Sequence, residues 1–271
     1  MTWEDSPALL VDSATRAIIT GASRGIGRAT ARALAARGAT VGLLARDKER
    51  LEELASELGD GAVVLAADVA KRGPLERAIE RFCRKAGGLD LLIANAGLAR
   101  YAPFPDQPIE DIEQMVNVNV LGTLYTVRAG LTPMLDQASG HVVVISSGAG
   151  LRAFPSAAVY GATKAADRAF AEALRHELSG TGISVTTVFP GEVATDLHEG
   201  RETRLPDWRN SNEAIEPETV AKALIEAVES DQRAVYIPAA IRVLGLNSLA
   251  PKLTDRLLAS LRGATAAPRR D

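Results

Sequence analysis

A run of branched and small apolar residues, Arg16-Ala17-Ile18-Ile19-Thr20, passes directly into Gly21-Ala22-Ser23-Arg24-Gly25-Ile26-Gly27-Arg28-Ala29. That order reads as a strand, a glycine turn and the start of a helix. The three glycines let the backbone turn sharply and leave room for a pyrophosphate at the helix N-terminus, where free N–H groups and the helix dipole favour anions. The spacing is Gly-x-x-x-Gly-x-Gly, not the commoner Gly-x-Gly-x-x-Gly, and a glycine turn alone can equally serve helix packing. Downstream, short β-rich runs alternate with amphipathic stretches, the pattern of a parallel sheet covered on both faces. Strands are expected at residues 17–20, 40–44, 62–66, 89–94, 141–146, 183–189 and 235–237, with helices between them. Pro74, Pro108 and Pro217 fall near helix starts, where a missing N–H costs little. The fold class expected is α/β, a doubly wound, seven-stranded, mainly parallel sheet whose ligands bind beyond the carboxyl ends of the strands.

Composition sets the outer bounds. A chain of 271 residues suits one large α/β domain with a substantial core. The net charge of −3 creates no field that would gather nucleic acid. Cys83 is the only cysteine, which excludes an intrachain disulfide framework and makes a reducing compartment the default. It reads as a small buried hydrophobe on a helix. The start, Met1-Thr2-Trp3-Glu4-Asp5-Ser6-Pro7, has no basic region followed by an apolar run, and no eighteen-residue apolar stretch follows. A cytoplasmic protein is expected.

The chemistry concentrates further along. Tyr160 and Lys164 stand four residues apart at the head of a long alanine-rich stretch, and Ser147 lies thirteen residues before the tyrosine. On a helix, positions i and i+4 share a face, so the Lys164 ammonium can lie near the Tyr160 phenol and favour its ionised form. A tyrosine in that setting can move protons near neutral pH. One lysine rarely supplies all of the effect, and a second positive charge such as an oxidised nicotinamide ring would complete it. Taken singly, Ser147 is an ordinary strand-end serine and Tyr160 a packed aromatic. Their joint spacing with Lys164 is what points to catalysis.

Together these features resemble the short-chain dehydrogenase/reductase family in its classical form, over residues 16–237. The resemblance includes Asp68-Val69 after the third strand, Asn95-Ala96-Gly97 after the fourth, Asn119 in the following helix, and Pro190-Gly191-Glu192-Val193-Ala194-Thr195 after the sixth. It implies a single Rossmann-type domain over residues 16–238, preceded by a lead at 1–15. It also implies hydride transfer between a nicotinamide cofactor and a carbonyl or secondary alcohol. In that scheme Tyr160 is the general acid/base and Ser147 orients the substrate oxygen. Lys164 acts on Tyr160 and binds the nicotinamide ribose, and Asn119 holds a water that passes protons. Asn119 is preferred to the neighbouring Asn117 because the family's asparagine precedes a pattern that Val120-Leu121-Gly122 fits.

Cofactor contacts are expected from Gly21, Ser23, Arg24, Gly25, Ile26 and Gly27 at the turn, from Asp68 and Val69 at the adenine, and from Asn95, Ala96 and Gly97 at the sheet centre. Tyr160, Lys164, Pro190, Gly191, Val193 and Thr195 complete the set at the nicotinamide end. NAD-preferring relatives place an aspartate where this chain has Ala45. Arg46 follows, and Arg24 sits in the turn. Two guanidiniums converging on a 2′-phosphate form a charge-assisted clamp, so NADP(H) is favoured over NAD(H), unless Asp47 neutralises Arg46.

The substrate pocket is expected from Ser147, Leu151, Phe154 and Tyr160, with Leu98, Tyr101 and Val159 making an apolar lining suited to a hydrophobic ketone, aldehyde or alcohol. The segment 197–212 adds Arg201, Arg204, Arg209 and Trp208, a polar counterpoint. His141, His176 and His198 show no metal-ligand spacing, so no metal is expected; His141 and His176 read as surface or boundary residues. Residues 239–262 read as a helical extension of two short helices, 239–249 and 251–261, and 263–271 as a disordered tail. Residues 239–271 carry six Lys or Arg against two Asp. Such a basic amphipathic segment can lie on an anionic membrane surface, but packing on its own chain or on a subunit partner is favoured. By resemblance, the helices bearing Asn119 and Tyr160 mediate a homodimer or homotetramer. The alternative to an enzyme is a non-catalytic NADP-binding sensor that contacts a partner through the extension.

Overall fold

Seven strands, β1 (Arg16–Thr20), β2 (Thr40–Ala45), β3 (Ala62–Ala66), β4 (Leu91–Ala94), β5 (Gly140–Ile145), β6 (Ile183–Pro190) and β7 (Ala234–Ile237), form one sheet in the order β3-β2-β1-β4-β5-β6-β7. Every pairing is parallel. The mainly parallel sheet expected from the sequence is parallel at every one of these pairings. The structure of the chain is a computed structural model that describes residues 8–152, 154–195 and 214–248. The expectations for 197–212, for the helix at 251–261, for the tail at 263–271 and for His198 lie outside them.

Alternation along the strands divides the core in two, because successive side chains point to opposite faces. Ala17, Ile19, Leu91, Ile93, Val143 and Ile145 face one layer. That layer is built by α1 (Gly25–Ala35), α2 (Lys48–Leu58) and α8 (Pro217–Glu229), through Leu34, Leu54, Leu224 and Val228. Ile18, Leu92, Ala94, Val142 and Val144 face the other. Its helices are α3 (Arg72–Ala86), α5 (Gly122–Gln137) and α7 (Ala158–Glu177), which contribute Phe82, Val127 and Leu174. Two shorter helices, α4 (Ile109–Met115) and α6 (Gly148–Leu151), lie at the carboxyl ends of the strands, and a π-helical turn (Val116–Leu121) joins α4 to α5. After β3 the chain crosses to the far side of β1. The strand order reverses between β1 and β4, and a crevice opens there beyond the strand ends.

His141 departs from the surface or boundary position expected of it. It is 1 % exposed in β5 and its Nε2 lies 2.8 Å from Thr186 Oγ1 on the adjoining β6. The Thr186 hydroxyl donates its one hydrogen to Gln232 O at 2.6 Å, so Nε2 is the donor to Thr186 and Nδ1 is bare. Nδ1 has no hydrogen-bond partner among the described residues. Burial, with a smaller contribution from Arg175, pushes the imidazole down to about 3. A proton on Nδ1 would be an unsatisfied charge in the core. The unfolded chain therefore takes up a proton near pH 6.5 that the folded chain refuses until about pH 3. Stability contributed by neutral His141 is full above that unfolded value and is lost as pH falls. Between about pH 7 and pH 5 the loss from this one group should be about 2 kcal/mol. Urea unfolding of the wild type and of His141→Leu at both pH values checks this: the variant should lose less by that amount, and equal losses would contradict it.

Candidate active site

The carboxyl ends of β1 and β4 are tied by one hydroxyl. Thr20 Oγ1 accepts from the backbone N–H groups of Asn95 and Ala96, both at 3.0 Å, and Asn95 Nδ2 donates back to Thr20 O at 2.9 Å. Asn95, Ala96 and Gly97 are thereby held beneath the glycine turn. Gly21 has φ +69°, and a Cβ on Gly27 would stand 2.3 Å from Gly21 O, so the turn closes on itself only because both are glycine. Helix α1 starts at Gly25 with no side-chain cap from Arg24 and no acid in its first turn. Its leading N–H groups face the crevice without a built-in carboxylate, which suits a bound phosphate. Thr195, after β6, packs against Gly25 from across the crevice.

The other wall is fixed between β5 and α7. Ser146 Oγ donates to Lys164 O at 2.7 Å, and Lys164 Nζ donates to Ile145 O at 2.8 Å and to Asp167 Oδ2 at 2.9 Å. Lys164 is 5 % exposed. Burial opposes its charge, but Asp167 and Tyr160 outweigh burial and the ammonium is held above its ordinary value. Burial likewise pushes the Asp167 carboxyl up, with Lys164 and Thr123 opposing. Tyr160 stands one helical turn before Lys164, and its ring meets Tyr101 edge-on with centroids 6.0 Å apart. Ser147 caps α6, its Oγ accepting from Ala149 N at 3.1 Å, so the hydroxyl hydrogen is left for another acceptor.

Asn119 belongs to the π-helical turn, where one extra residue per turn rotates it inward. Its Oδ1 accepts from Leu98 N at 2.9 Å, and its Nδ2 donates to Leu98 O at 2.9 Å and Thr163 Oγ1 at 3.0 Å. Thr123 Oγ1 donates to its backbone carbonyl at 2.7 Å. The Asn119 side chain is thus a strut that binds the loop after β4 to α7.

Between the walls lies a cleft of about 1240 Å³. Its lining includes Gly21, Ser23, Arg24, Gly25, Ile26, Arg46, Asp68, Val69, Asn95, Ala96 and Gly97 on the expected cofactor side. Ser147, Phe154, Tyr160, Lys164, Pro190, Gly191, Val193 and Thr195 line the remainder. Gly27 and Asn119 are buried behind the wall, and Leu151, expected in the pocket, does not line it. Arg100, between the expected Leu98 and Tyr101, lines it too, and Gln114, Ile241 and Leu244 do so without having been expected there. The last two come from the extension, whose first part is a 3₁₀ helix, Ala239–Ser248. With three residues per turn, Ile241 and Leu244 fall on one side, where both approach Gly148. This part of the extension packs on its own chain, and its apolar spacing of three was the signal. Among the described residues no group of three His, Cys, Asp or Glu could hold a metal ion, and no helix is long and apolar enough to cross a membrane.

Comparison with known proteins agrees with this geometry. The family model described as short chain dehydrogenase matches residues 15–205. An uncharacterized oxidoreductase of Staphylococcus aureus is 37% identical over 213 residues, covering 78% of this chain and 90% of the relative. A 3-ketoacyl-ACP reductase from Sinorhizobium meliloti superposes with a TM-score of 0.73 at 35% identity, covering 82% of this chain and 96% of that one. The closed form of a serine dehydrogenase complexed with NADP+ superposes with a TM-score of 0.74 at 32% identity, covering 82% and 94%. The strand order, the cleft at its reversal and these matches together show that the chain belongs to the short-chain dehydrogenase family of oxidoreductases.

Proposed function

We propose that this protein is an NADPH-dependent oxidoreductase that reduces a carbonyl on a largely apolar substrate, or oxidises the corresponding alcohol, with Tyr160 as general acid/base. The observation that carries this reading is the buried Tyr160–Lys164 helix turn opening into the same cleft as Ser147 and the uncapped N-terminus of α1. The nicotinamide, when bound, supplies or accepts the hydride. In reduction, Tyr160 gives its phenolic proton to the carbonyl oxygen as that oxygen becomes an alcohol. The Ser147 hydroxyl donates a hydrogen bond to the same oxygen and orients it. Lys164 favours the phenolate left on Tyr160 and binds the ribose hydroxyls.

The structure around β2 favours the 2′-phosphate. Ala45 ends the strand without a carboxylate, and Arg46 and Arg24 both line the cleft. Asp47 is engaged elsewhere: its Oδ1 caps α2 by accepting from Arg50 N at 3.1 Å, and its Oδ2 lies 3.4 Å from Arg50 Nε. Arg46 is therefore left for a phosphate. On the substrate side, Leu98, Tyr101, Val118, Phe154, Ile241 and Leu244 offer an apolar wall, with Arg100 and Gln114 as polar points.

Two outcomes are expected. Across a panel of hydrophobic ketones, aldehydes and diketones followed at the reduced-nicotinamide absorbance, Tyr160→Phe should lower turnover by at least about a hundredfold while cofactor affinity stays nearly unchanged. Retained turnover would remove Tyr160 from the chemistry. Arg46→Ala should weaken NADPH binding roughly 10- to 100-fold, the worth of a lost charge-assisted hydrogen bond, and leave NADH binding unaltered. Equal effects on both cofactors, measured by fluorescence titration, would refute the phosphate assignment.

A further inference from the structure

Among the described residues, Asp167 is the buried carboxylate in contact with Lys164, and the proposed chemistry does not use it. It lies on α7, three residues beyond Lys164, and the side chains of the two are 2 % and 6 % exposed with Nζ and Oδ2 2.9 Å apart. We propose that Asp167 is a positioning residue, the buried counter-ion that keeps the Lys164 ammonium charged and holds it at the floor of the cleft. The inference rests on the reading of Lys164 as the partner of Tyr160.

An ammonium removed from water on every side sheds its proton unless something answers its charge. The groups around Lys164 are few. From α7 come Tyr160 and Asp167; from β5 comes the Ile145 carbonyl, a dipole without charge; from the loop after β4 comes Gly97, which has no side chain. From α5, Thr123 meets Asp167 and not Lys164. Among the described residues, Asp167 is thus the only full negative charge facing the lysine while Tyr160 carries its proton. Burial acts against the ammonium, and Asp167 answers it both through its charge and through the 2.9 Å hydrogen bond, so withdrawing the carboxylate removes two of the three influences that hold the proton. The geometry adds a constraint. Ile145 O and Asp167 Oδ2 take two of the three ammonium hydrogens and leave one for a ligand in the cleft. A lysine held in that way presents its last donor in one direction without needing the cofactor to order it.

Asp167→Asn keeps the shape and an acceptor and removes the charge. With lysine labelled at Cε with ¹³C, and the Lys164 signal assigned by its loss in Lys164→Met, NMR titration reads the ammonium directly, with no substrate. In the wild type the signal should hold its charged position to about pH 10, and in Asp167→Asn it should titrate at least about one pH unit lower. With a ketone that the wild type reduces, the alkaline limb of turnover should move down by the same interval, about a tenfold loss at high pH with little change at low pH. Identical lysine titrations in the two proteins would overturn the proposal, as would a pH-independent loss of turnover. If Asp167→Asn does not fold, a stability cycle decides the question. Lys164→Met should be destabilised and Lys164→Met/Asp167→Leu should recover, because the pair and its apolar replacement are each tolerated while a lone buried charge is not. Additive losses would overturn it. A wild type that reduces no carbonyl would count against the oxidoreductase reading, and the lysine titration would still decide the role of Asp167.

Discussion

One buried cation organises the site. Desolvating an ammonium costs several kcal/mol even after relaxation, so Lys164 can be where it is only because Ile145 O and Asp167 meet it at 2.8 Å and 2.9 Å. Those bonds also set the architecture of the wall. Ile145 ends β5, Ser146 binds the Lys164 backbone carbonyl, and the next residue is Ser147. The strand end that answers the lysine charge therefore also places the serine hydroxyl on the wall that carries Tyr160. Charge compensation and side-chain placement are served by the same contacts.

The opposite wall depends on the reversal of strand order. Because β1 and β4 are neighbours whose following segments leave in different directions, their ends would part without a tie, and Thr20 supplies it through Asn95 and Ala96. The two walls meet at Gly97. A Cβ there would lie 3.5 Å from Asn119 Oδ1 and 3.6 Å from Lys164 Nζ, so the loop after β4 touches both the strut and the cation. Asn119 extends the tie from Leu98 to Thr163 on α7. A displacement of either wall would be felt by the other through this joint.

Much of this was legible in the sequence, for physical reasons. Parallel strands covered on both faces are nearly continuous apolar runs, so β1 to β6 announce themselves, and the glycines of the β1–α1 turn mark a place where a side chain cannot stand. The motif spacing placed Ser147, Tyr160 and Lys164 without knowledge of their surroundings. What could not be read were properties that depend on long-range partners. His141 resembles the polar start of a strand, and its burial depends on Thr186 of a strand far along the chain. The π-helical turn at Asn119 has no compositional mark. Asp167, beside Arg168 in an alanine-rich helix, looks like half of a solvated charge pair, although its i, i+3 spacing from Lys164 was there to be noticed. Ile241 and Leu244 belong to a 3₁₀ helix, whose period of three is easily taken for that of an amphipathic α-helix.

The central claim is that the two walls enclose a site for hydride transfer, and the most direct measurement follows the hydride itself. Wild-type protein incubated with NADPH deuterated at C4 and a hydrophobic ketone, with the product examined by mass spectrometry and NMR, should yield alcohol carrying deuterium on the carbinol carbon. Cofactor that binds in the cleft yet keeps its deuterium, with the ketone recovered unchanged across the whole carbonyl panel, would contradict the account.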